Sequence, residues 1–271
     1  MIRFAAALWL LAFIEVAGAE PAELRLGATH TLEDSGILAR LVAAFGAERG
    51  TRVRTLVAGT GQMMRYAGNG DVDVVLTHSR PDEEDLVRRG IGAARLDVMW
   101  NDFVIAGPAA DPARVRGLRD AAQALARIRA SRARFVSRGD DSGTHKKELQ
   151  LWRAAGGLAR WSGYLSAGQG AGKTLLMADE LEAYDLVDRA TWRQIGKRAA
   201  LPILVEGDAR LVNEYAVTTL RPAAARRVNA AEGEAFAQWL RGESARRLIA
   251  AYRIDGARVF YLPGESPPAS P

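Results

Sequence analysis

Cysteine is absent from the 271-residue sequence, which excludes disulfides, thiolate nucleophiles and zinc sites built on cysteine. It also excludes a lipid-modified cysteine after a signal sequence, so we expect a free protein rather than a lipid-anchored one. Histidine is scarce, and His30, His78 and His145 share no spacing typical of metal ligands. No G-x-S-x-G elbow is present to carry a serine nucleophile. These absences argue against an enzyme and predict neither a metal site nor a cofactor.

Dense basic blocks are also missing. The net charge is +5, but the 37 basic residues are spread along the chain and only four of them are lysine. A nucleic-acid-binding surface needs clustered cations. The sequence therefore predicts no nucleic-acid partner, and the charge by itself leaves acidic surfaces and small anions open.

The N-terminus has the pattern of a secretory signal peptide. Arg3 gives a positive start, Phe4 to Ile14 form an eleven-residue apolar run, and Ala17 to Ala19 resemble a cleavage site. The run is too short to span a bilayer, which takes about 20 apolar residues. We predict that residues 1–19 are removed and that the mature chain of 252 residues is periplasmic.

From residue 24 onward, short apolar runs alternate with stretches of helical periodicity. In the first part of the chain, the predicted elements are strands at 24–28, 53–57 and 72–77 and helices at 37–45 and 63–67. This alternation favours an α/β fold with a parallel sheet and helices on its faces.

Two further strands are predicted to connect two lobes. Phe103 to Ala106 end at a Gly-Pro pair, where we place a crossing into a second lobe, and Tyr215 to Thr219 form the return crossing. The remaining predicted elements are strands at 135–136 and 203–205 and helices at 118–128, 142–155, 236–240 and 245–252. The predicted division is a first lobe of 20–107 and 213–262, a second lobe of 108–212, and a disordered, Pro- and Ser-rich tail of 263–271.

Two similar turns stand at predicted strand-to-helix junctions, one in each lobe. Asp34-Ser35-Gly36 belongs to the first and Asp141-Ser142-Gly143 to the second. Asp and Ser are preferred helix N-caps, so the simplest interpretation is two capped helices. However, hydroxyls flank both turns and a cation flanks the second, and such turns point free N–H groups beyond the end of a sheet. Facing each other across a cleft, they would form an anion site. The donors concerned are Thr29, Thr31, Ser137, Arg138 and Thr144.

Two glycine-rich segments indicate a ligand site less strongly than these turns do. Gly59-Thr60-Gly61 follows a predicted strand, and its glycines would let backbone N–H groups approach a ligand, although an ordinary tight turn has the same pattern. Ala167 to Thr174 come close to a phosphate-binding loop that ends in G-K-T. No apolar strand precedes this segment in the sequence, so we reject a nucleotide site there.

The block Phe135 to Leu149, F-V-S-R-G-D-D-S-G-T-H-K-K-E-L, resembles the signature of the TupA-type tungstate-binding proteins, the periplasmic components of tungstate ABC transporters. The resemblance extends over nearly the whole mature chain. The other similar segments, in order, are T-H-T-L-E-D-S-G at 29–36, V-A-G-T-G-Q at 57–62, N-D-F-V-I-A-G-P at 101–108, G-Q-G-A-G at 168–172, Y-D-L-V-D-R-A-T at 184–191 and L-V-N-E-Y-A-V at 211–217.

The resemblance implies a type II periplasmic-binding-protein fold, in which two α/β lobes joined by a two-strand hinge hold an oxyanion between them. It also implies a monomer that delivers tungstate or molybdate to an ABC permease in the inner membrane and performs no reaction. The residues expected to contact the anion are Thr29, His30, Thr31, Thr60, Gly61, Arg138, Ser142, Gly143 and Thr144. His30 departs from the family, whose members usually have T-T-T-S where this sequence has Ala28 to Thr31.

Two other functions stay open at this point. A phosphate-binding protein of the same fold would need a carboxylate to accept the phosphate hydrogen. We expect Asp34 and Asp141 to be occupied as helix caps, and Asp140 to pair with a cation or face water, so that all three turn away from the anion. An exported metal-dependent phosphohydrolase using Asp140 and Asp141 is the more distant alternative. The sequence does not distinguish tungstate from molybdate.

Overall fold

The computed structural model describes residues 22–195, 198–223 and 227–266. The predicted signal peptide, residues 1–19, and the end of the predicted disordered tail, residues 267–271, lie outside these ranges. None of the helices within them has the length and apolar character needed to cross a membrane.

Most of the predicted strands are confirmed in the central sheet. In the described residues the strands of this sheet are β1 Glu23–Thr29, β2 Arg52–Ala58, β3 Val74–Thr77, β4 Gly92–Ala106, β5 Phe135–Ser137, β6 Tyr164–Ser166, β7 Tyr184–Asp188, β8 Ile203–Val205 and β9 Val212–Leu220.

The helices surround this sheet. In the described residues the α-helices are α1 His30–Asp34, α2 Ile37–Arg49, α3 Thr60–Asn69, α4 Arg80–Arg88, α5 Ala121–Ser131, α6 Gly143–Ala154, α7 Ala171–Glu180, α8 Arg189–Ile195, α9 Ala230–Arg241 and α10 Glu243–Ala251. α2 ends before Gly50, which adopts the left-handed conformation that terminates a helix, with φ of 65°.

The sheet has two halves that share one long strand. Its order is β2-β1-β3-β9-β4-β7-β5-β6, and β8 also pairs with β4. β1 pairs in parallel with β2 and β3, and β5 pairs in parallel with β6 and β7. The parallel strands of each half therefore end at the same edge, which is where ligands bind in open α/β sheets.

The shared strand β4 crosses from one half to the other. Its residues Gly92 to Asp102 pair with β9, and its residues Phe103 to Ala106 pair with β7 and β8. The predicted strand at 103–106 is therefore only the end of a 15-residue strand. Phe103 and Ile105 pack with the core of the second half. Phe103 lies five residues before residue 108, where the predicted second lobe begins. The predicted lobe limits otherwise stay a prediction.

Each half has its own apolar core. In the first half, Phe45 of α2 meets Phe236 of α9 edge to face at 5.0 Å. In the second half, Phe135 of β5 packs against Trp152 of α6 at 5.3 Å. Separate cores let the two halves behave as lobes joined by β4 and β9.

One prediction about local structure is wrong. A strand does precede the glycine-rich segment at 167–174, namely β6, whose residues are half-buried or exposed and therefore leave no apolar run in the sequence. After Leu262 the chain forms a turn, in which the carboxylate of Glu265 accepts the backbone N–H of Leu262 at 2.7 Å. The predicted disorder of the tail stays a prediction.

Candidate functional site

A cavity of about 640 Å³ lies between the two halves, at the carboxyl ends of their parallel strands. Four turns surround it: the first turn (residues 29–36), the glycine turn (59–61), the second turn (137–144) and the Gln169 loop (167–172). The side chains and glycines that line it include His30, Asp34, Gly59, Gly61, Asp140, Asp141, Gly168, Gln169, Gly170 and Gly172.

The first turn carries two buried hydroxyls and one half-exposed imidazole. Thr29 ends β1, and Thr31 lies in the short helix α1, with 3.1 Å between their Oγ1 atoms. Both residues are 3% exposed. The His30 side chain is 43% exposed, lines the cavity, and places Nδ1 3.7 Å from the Glu33 carboxylate. His30 therefore stands at the rim while the two threonines lie behind it.

The glycine turn brings the first half against the second. Thr60 begins α3, and its buried hydroxyl has no hydrogen-bond partner in the part of the chain that the structure describes. A Cβ atom at Gly61 would stand 2.5 Å from Oδ2 of Asp141. A side chain at position 61 would therefore displace the carboxylate of Asp141 from this close approach of the two halves.

Arg138 is the dominant cation of the second turn. It directly follows β5 and is only 2% exposed. Its Nε donates to the carbonyl of Gln169 at 2.8 Å, and one terminal nitrogen contacts Asp140 at 2.5 Å. The other terminal nitrogen, Nη1, is buried and has no partner among the described residues. Burial pushes the pKa of Asp140 upward, but Arg138 and Ser142 outweigh it and hold that pKa below its usual range.

The N-terminus of α6 completes the second turn. Ser142 is the N-cap, and its hydroxyl accepts the backbone N–H of His145 at 3.2 Å. Gly143 lies against His78 of the first half, since a Cβ atom there would stand 2.8 Å from the imidazole. The hydroxyl of Thr144 is buried without a partner in the described residues.

The predicted capping roles of two aspartates are wrong. Asp34 ends α1, and α2 begins after Gly36, which has no side-chain cap. Asp141 has a φ of 57° and donates its backbone N–H to Nδ1 of His145, so Ser142 takes the cap position instead. The short helix α1 moves the first cap from residue 34 to residue 36. The left-handed conformation of residue 141 moves the second cap from residue 141 to residue 142. The predicted pairing of Asp140 with a cation is confirmed.

All three aspartates line the cavity. Burial raises the pKa of Asp34, while His30 and Arg138 oppose this shift. Asp140 is neutralised by its ion pair with Arg138. The expectation that none of these carboxylates faces the anion stays a prediction, as do the contacts expected from the nine residues named above.

Sequence reasoning missed two parts of this site. The Gln169 loop was set aside with the rejected nucleotide site, yet it holds Arg138 through the Gln169 carbonyl. Its presence in the family resemblance, as G-Q-G-A-G, was the available signal. His78 also lies behind the first turn, with Nε2 2.9 Å from Oγ1 of Thr31. The two residues are far apart in the chain, and nothing local to either of them indicates this contact.

Comparison with known proteins places the chain in a family. Residues 16–244 match the PBP superfamily domain. The chain is 41% identical over 239 residues to the tungstate-binding protein TupA of Peptoclostridium acidaminophilum, covering 87% of this chain and 84% of that protein.

Solved structures agree with this relationship. The tungstate-binding protein TupA of Desulfovibrio alaskensis G20 superposes with a TM-score of 0.79 at 36% identity, covering 90% of this chain and 100% of that one. The tungstate ABC transporter structure from Geobacter sulfurreducens gives 0.78 at 38% identity, covering 85% and 98%. These neighbours confirm the predicted type II periplasmic-binding-protein fold. The chain therefore belongs to the PBP superfamily and, within it, to the family of TupA-type tungstate-binding proteins.

Proposed function

We propose that this chain is an exported solute-binding protein that captures tungstate or molybdate between its two lobes for ABC-type import. One observation carries the proposal. Arg138 Nη1, Thr60 Oγ1 and Thr144 Oγ1 are buried and have no hydrogen-bond partner among the described residues. Buried donors normally have partners, because leaving one unpaired costs about 1–3 kcal/mol. All three belong to turns that meet at the cavity, so an oxyanion there would satisfy them together.

The chemistry of these groups suits a fully deprotonated dianion. Tungstate and molybdate carry no hydrogen at neutral pH, so each of their four oxygens can only accept. Arg138 supplies a charge-assisted hydrogen bond, the strongest single contact expected. Its ion pair with Asp140 uses a different nitrogen from the unpaired one, so the guanidinium can serve both partners.

Contacts between the lobes support a mechanism of capture by closure. Nζ of Lys146 in α6 donates to both carboxylate oxygens of Asp82 in α4, at 2.9 and 2.8 Å. Together with the approach of Gly61 to Asp141, this ion pair holds the two lobes over the cavity. Binding proteins of this kind close by hinge motion. We infer that the closed form is presented to a permease and that no bond of the ligand is changed.

The names of the relatives support the ligand and the transport role. The Peptoclostridium and Desulfovibrio proteins are tungstate-binding proteins, and the Geobacter structure is that of a tungstate ABC transporter. Together with the signal-peptide pattern of residues 1–19, they support a periplasmic protein that works beside an inner-membrane permease. We propose that the mature chain is monomeric.

A calorimetric titration of residues 20–271 tests the proposal. Sodium tungstate, molybdate, sulfate and phosphate are titrated in turn at neutral pH. We expect tight binding of tungstate or molybdate, and a ligand at 1,000 times its Kd should stabilise the fold by about 4 kcal/mol. If millimolar tungstate gives no heat of binding and does not raise the melting temperature, the proposed function is wrong.

Phosphate is the second candidate, because three carboxylates line the cavity. Near neutral pH, phosphate keeps a hydrogen that a carboxylate could accept, whereas a carboxylate facing tungstate would set two negative charges against each other. The pairing of Asp140 with Arg138 favours tungstate. We expect tungstate to bind at least a hundredfold more tightly than phosphate, about 2.7 kcal/mol. Displacement of tungstate by equimolar phosphate would favour the phosphate-binding alternative.

A further inference from the structure

A network of buried polar side chains runs from the first turn through both hinge strands to the second lobe. We call it the hinge network, and its members are Thr31, His78, Asn213, Asn101 and Asp188. All of them are at most 8% exposed. Asn101 of β4 and Asn213 of β9 are directly paired in the sheet, at the point where these strands connect the two lobes. The network therefore joins the first turn beside the cavity to the hinge.

Asp188 orients the two asparagine amides of this network, and Nδ2 of Asn213 also donates to Oη of Tyr215 at 3.0 Å. Oδ1 of Asp188 accepts the backbone N–H of Thr191 at 3.0 Å, and a backbone N–H can only donate. Nδ2 of Asn101 donates to the same oxygen at 3.2 Å, which turns Oδ1 of Asn101 towards Asn213. Asn213 then donates from Nδ2 to this oxygen at 2.7 Å. As a result, Asn213 presents its own Oδ1 to His78.

The imidazole of His78 continues the same direction. Its Nδ1 lies 2.9 Å from Oδ1 of Asn213, which can only accept, so Nδ1 carries a hydrogen. A neutral imidazole has a single N–H, and Nε2 is therefore an acceptor. Thr31 Oγ1 lies 2.9 Å from Nε2. The hydroxyl of Thr31 must donate its only hydrogen to His78.

The surroundings of His78 keep it neutral. Burial lowers its pKa to about 4, the bond to Asn213 opposes this, and the nearby Arg138 and Lys147 lower it further. The rings of Tyr215 and Phe103 pack beside it, with centroids at 5.1 and 6.4 Å. An imidazolium at this place would have no carboxylate in contact with it among the described residues, so the bare Nε2 persists at neutral pH.

We propose that His78 is a positioning residue that takes the hydroxyl hydrogen of Thr31, so that only Thr29 of this pair donates a side-chain hydrogen to the anion. Thr29 differs from Thr31 in one respect. The described side-chain hydrogen bond of Thr29 is the 3.1 Å contact with Oγ1 of Thr31. The hydroxyl of Thr29 can rotate its hydrogen away from that contact and towards a ligand, while Oγ1 of Thr29 keeps its position. The inference rests on the proposed function. It assigns Thr29 as the donor to the anion and Thr31 as the residue that holds Thr29 in position.

The first experiment needs no ligand. A long-range ¹H–¹⁵N correlation spectrum of the mature protein distinguishes a protonated ring nitrogen from a bare one. The sequence has three histidines, so single replacements of His30 and His145 assign the signals. His145 is an internal control, because its Nδ1 accepts the backbone N–H of Asp141 and its neutral form must carry hydrogen on Nε2. We expect the opposite tautomer for His78. Hydrogen on Nε2 of His78 at neutral pH would overturn the proposal.

The second experiment compares two matched substitutions by calorimetry with sodium tungstate. Thr29→Val should weaken binding by about tenfold or more, because it removes a hydrogen bond to a charged ligand. Thr31→Val should change Kd by less than about threefold but lower the melting temperature, because it leaves Nε2 of His78 buried and unpaired. Thr29→Ser should restore binding, and Thr31→Ser should restore the melting temperature.

The outcomes separate this inference from the proposed function. If the wild-type protein binds tungstate and Thr31→Val loses as much affinity as Thr29→Val, Thr31 donates to the anion and the inference is wrong. If the wild-type protein does not bind tungstate, the proposed function is wrong, and the spectrum still decides the direction of the hinge network.

Discussion

The first and second turns have similar sequences but use their donors differently. In the first turn, the hydroxyls of Thr29 and Thr31 are bonded to each other and to His78. In the second turn, Nη1 of Arg138 and Oγ1 of Thr144 are buried without partners among the described residues. Similar cap-like motifs therefore produce one turn that is largely satisfied by the protein and one that has donors available for a ligand.

This difference indicates how the binding free energy is divided. A donor that already has a protein partner must exchange that bond for one to the anion, and the net gain is small. A buried donor without a partner gains the full bond. We therefore expect the second turn to supply most of the affinity, and the first turn to supply shape, rigidity and the single donor Thr29. Substitutions in the two turns test this division of the binding free energy.

Arg138→Ala should have the largest effect. It removes a buried, charge-assisted hydrogen bond to the anion, and we expect a loss of about 2 kcal/mol or more, roughly thirtyfold in Kd for tungstate. Arg134→Ala is the matched control, because this exposed arginine just before β5 donates only to the Leu181 carbonyl in the described contacts. An unchanged Kd in calorimetry would mean that Arg138 serves only Asp140 and the Gln169 loop.

Thr144→Val should have the next largest effect and a distinctive signature. Valine has nearly the same shape, so the substitution removes one hydrogen bond to the anion, about 1.5 kcal/mol or a little over tenfold in Kd. The ligand-free protein should be as stable as the wild type or more so, because a buried hydroxyl without a partner in the described residues is removed. Denaturant unfolding measures this, and a large loss of stability would show that the hydroxyl has a structural role.

Lys146→Ala tests the contact between the lobes rather than either turn. The ion pair with Asp82 is partly exposed, each side chain being 27% accessible, so we expect a loss of only about 0.5 kcal/mol, near twofold in Kd. The loss should shrink as salt is raised, because salt screens exposed charges. Arg153→Ala, an exposed position in the last turn of α6, is the control and should leave Kd unchanged.

His30→Thr should have the smallest effect at pH 7.5, because the imidazole stands at the rim and its half-exposed side chain faces Glu33. We therefore expect Kd for tungstate to change by less than about twofold in calorimetry. A larger loss of affinity would place His30 within the binding mechanism.

Much of the fold and part of the site were predictable because they depend on local sequence. Apolar runs and helical periodicity placed the strands β1, β2 and β5 and the helices α2 and α6 close to their observed positions. Strand-to-helix turns in parallel sheets must meet at one edge, which predicted that the threonines and Arg138 would face a common cleft. The first eleven residues of β4 escaped prediction because charged residues interrupt their apolar pattern.

The tertiary structure alone decided which donors are available. A hydroxyl has a single hydrogen, and its direction depends on neighbours that the sequence does not bring near it. Thr31 meets His78, and His78 meets Asn213, only because β1, β3 and β9 are neighbours in the sheet. The family, the division into two halves and the donor-rich turns follow from motifs and periodicity along the sequence. Folding determined which of those donors have a protein partner and which have none among the described residues, because hydrogen bonds form between residues far apart in the chain.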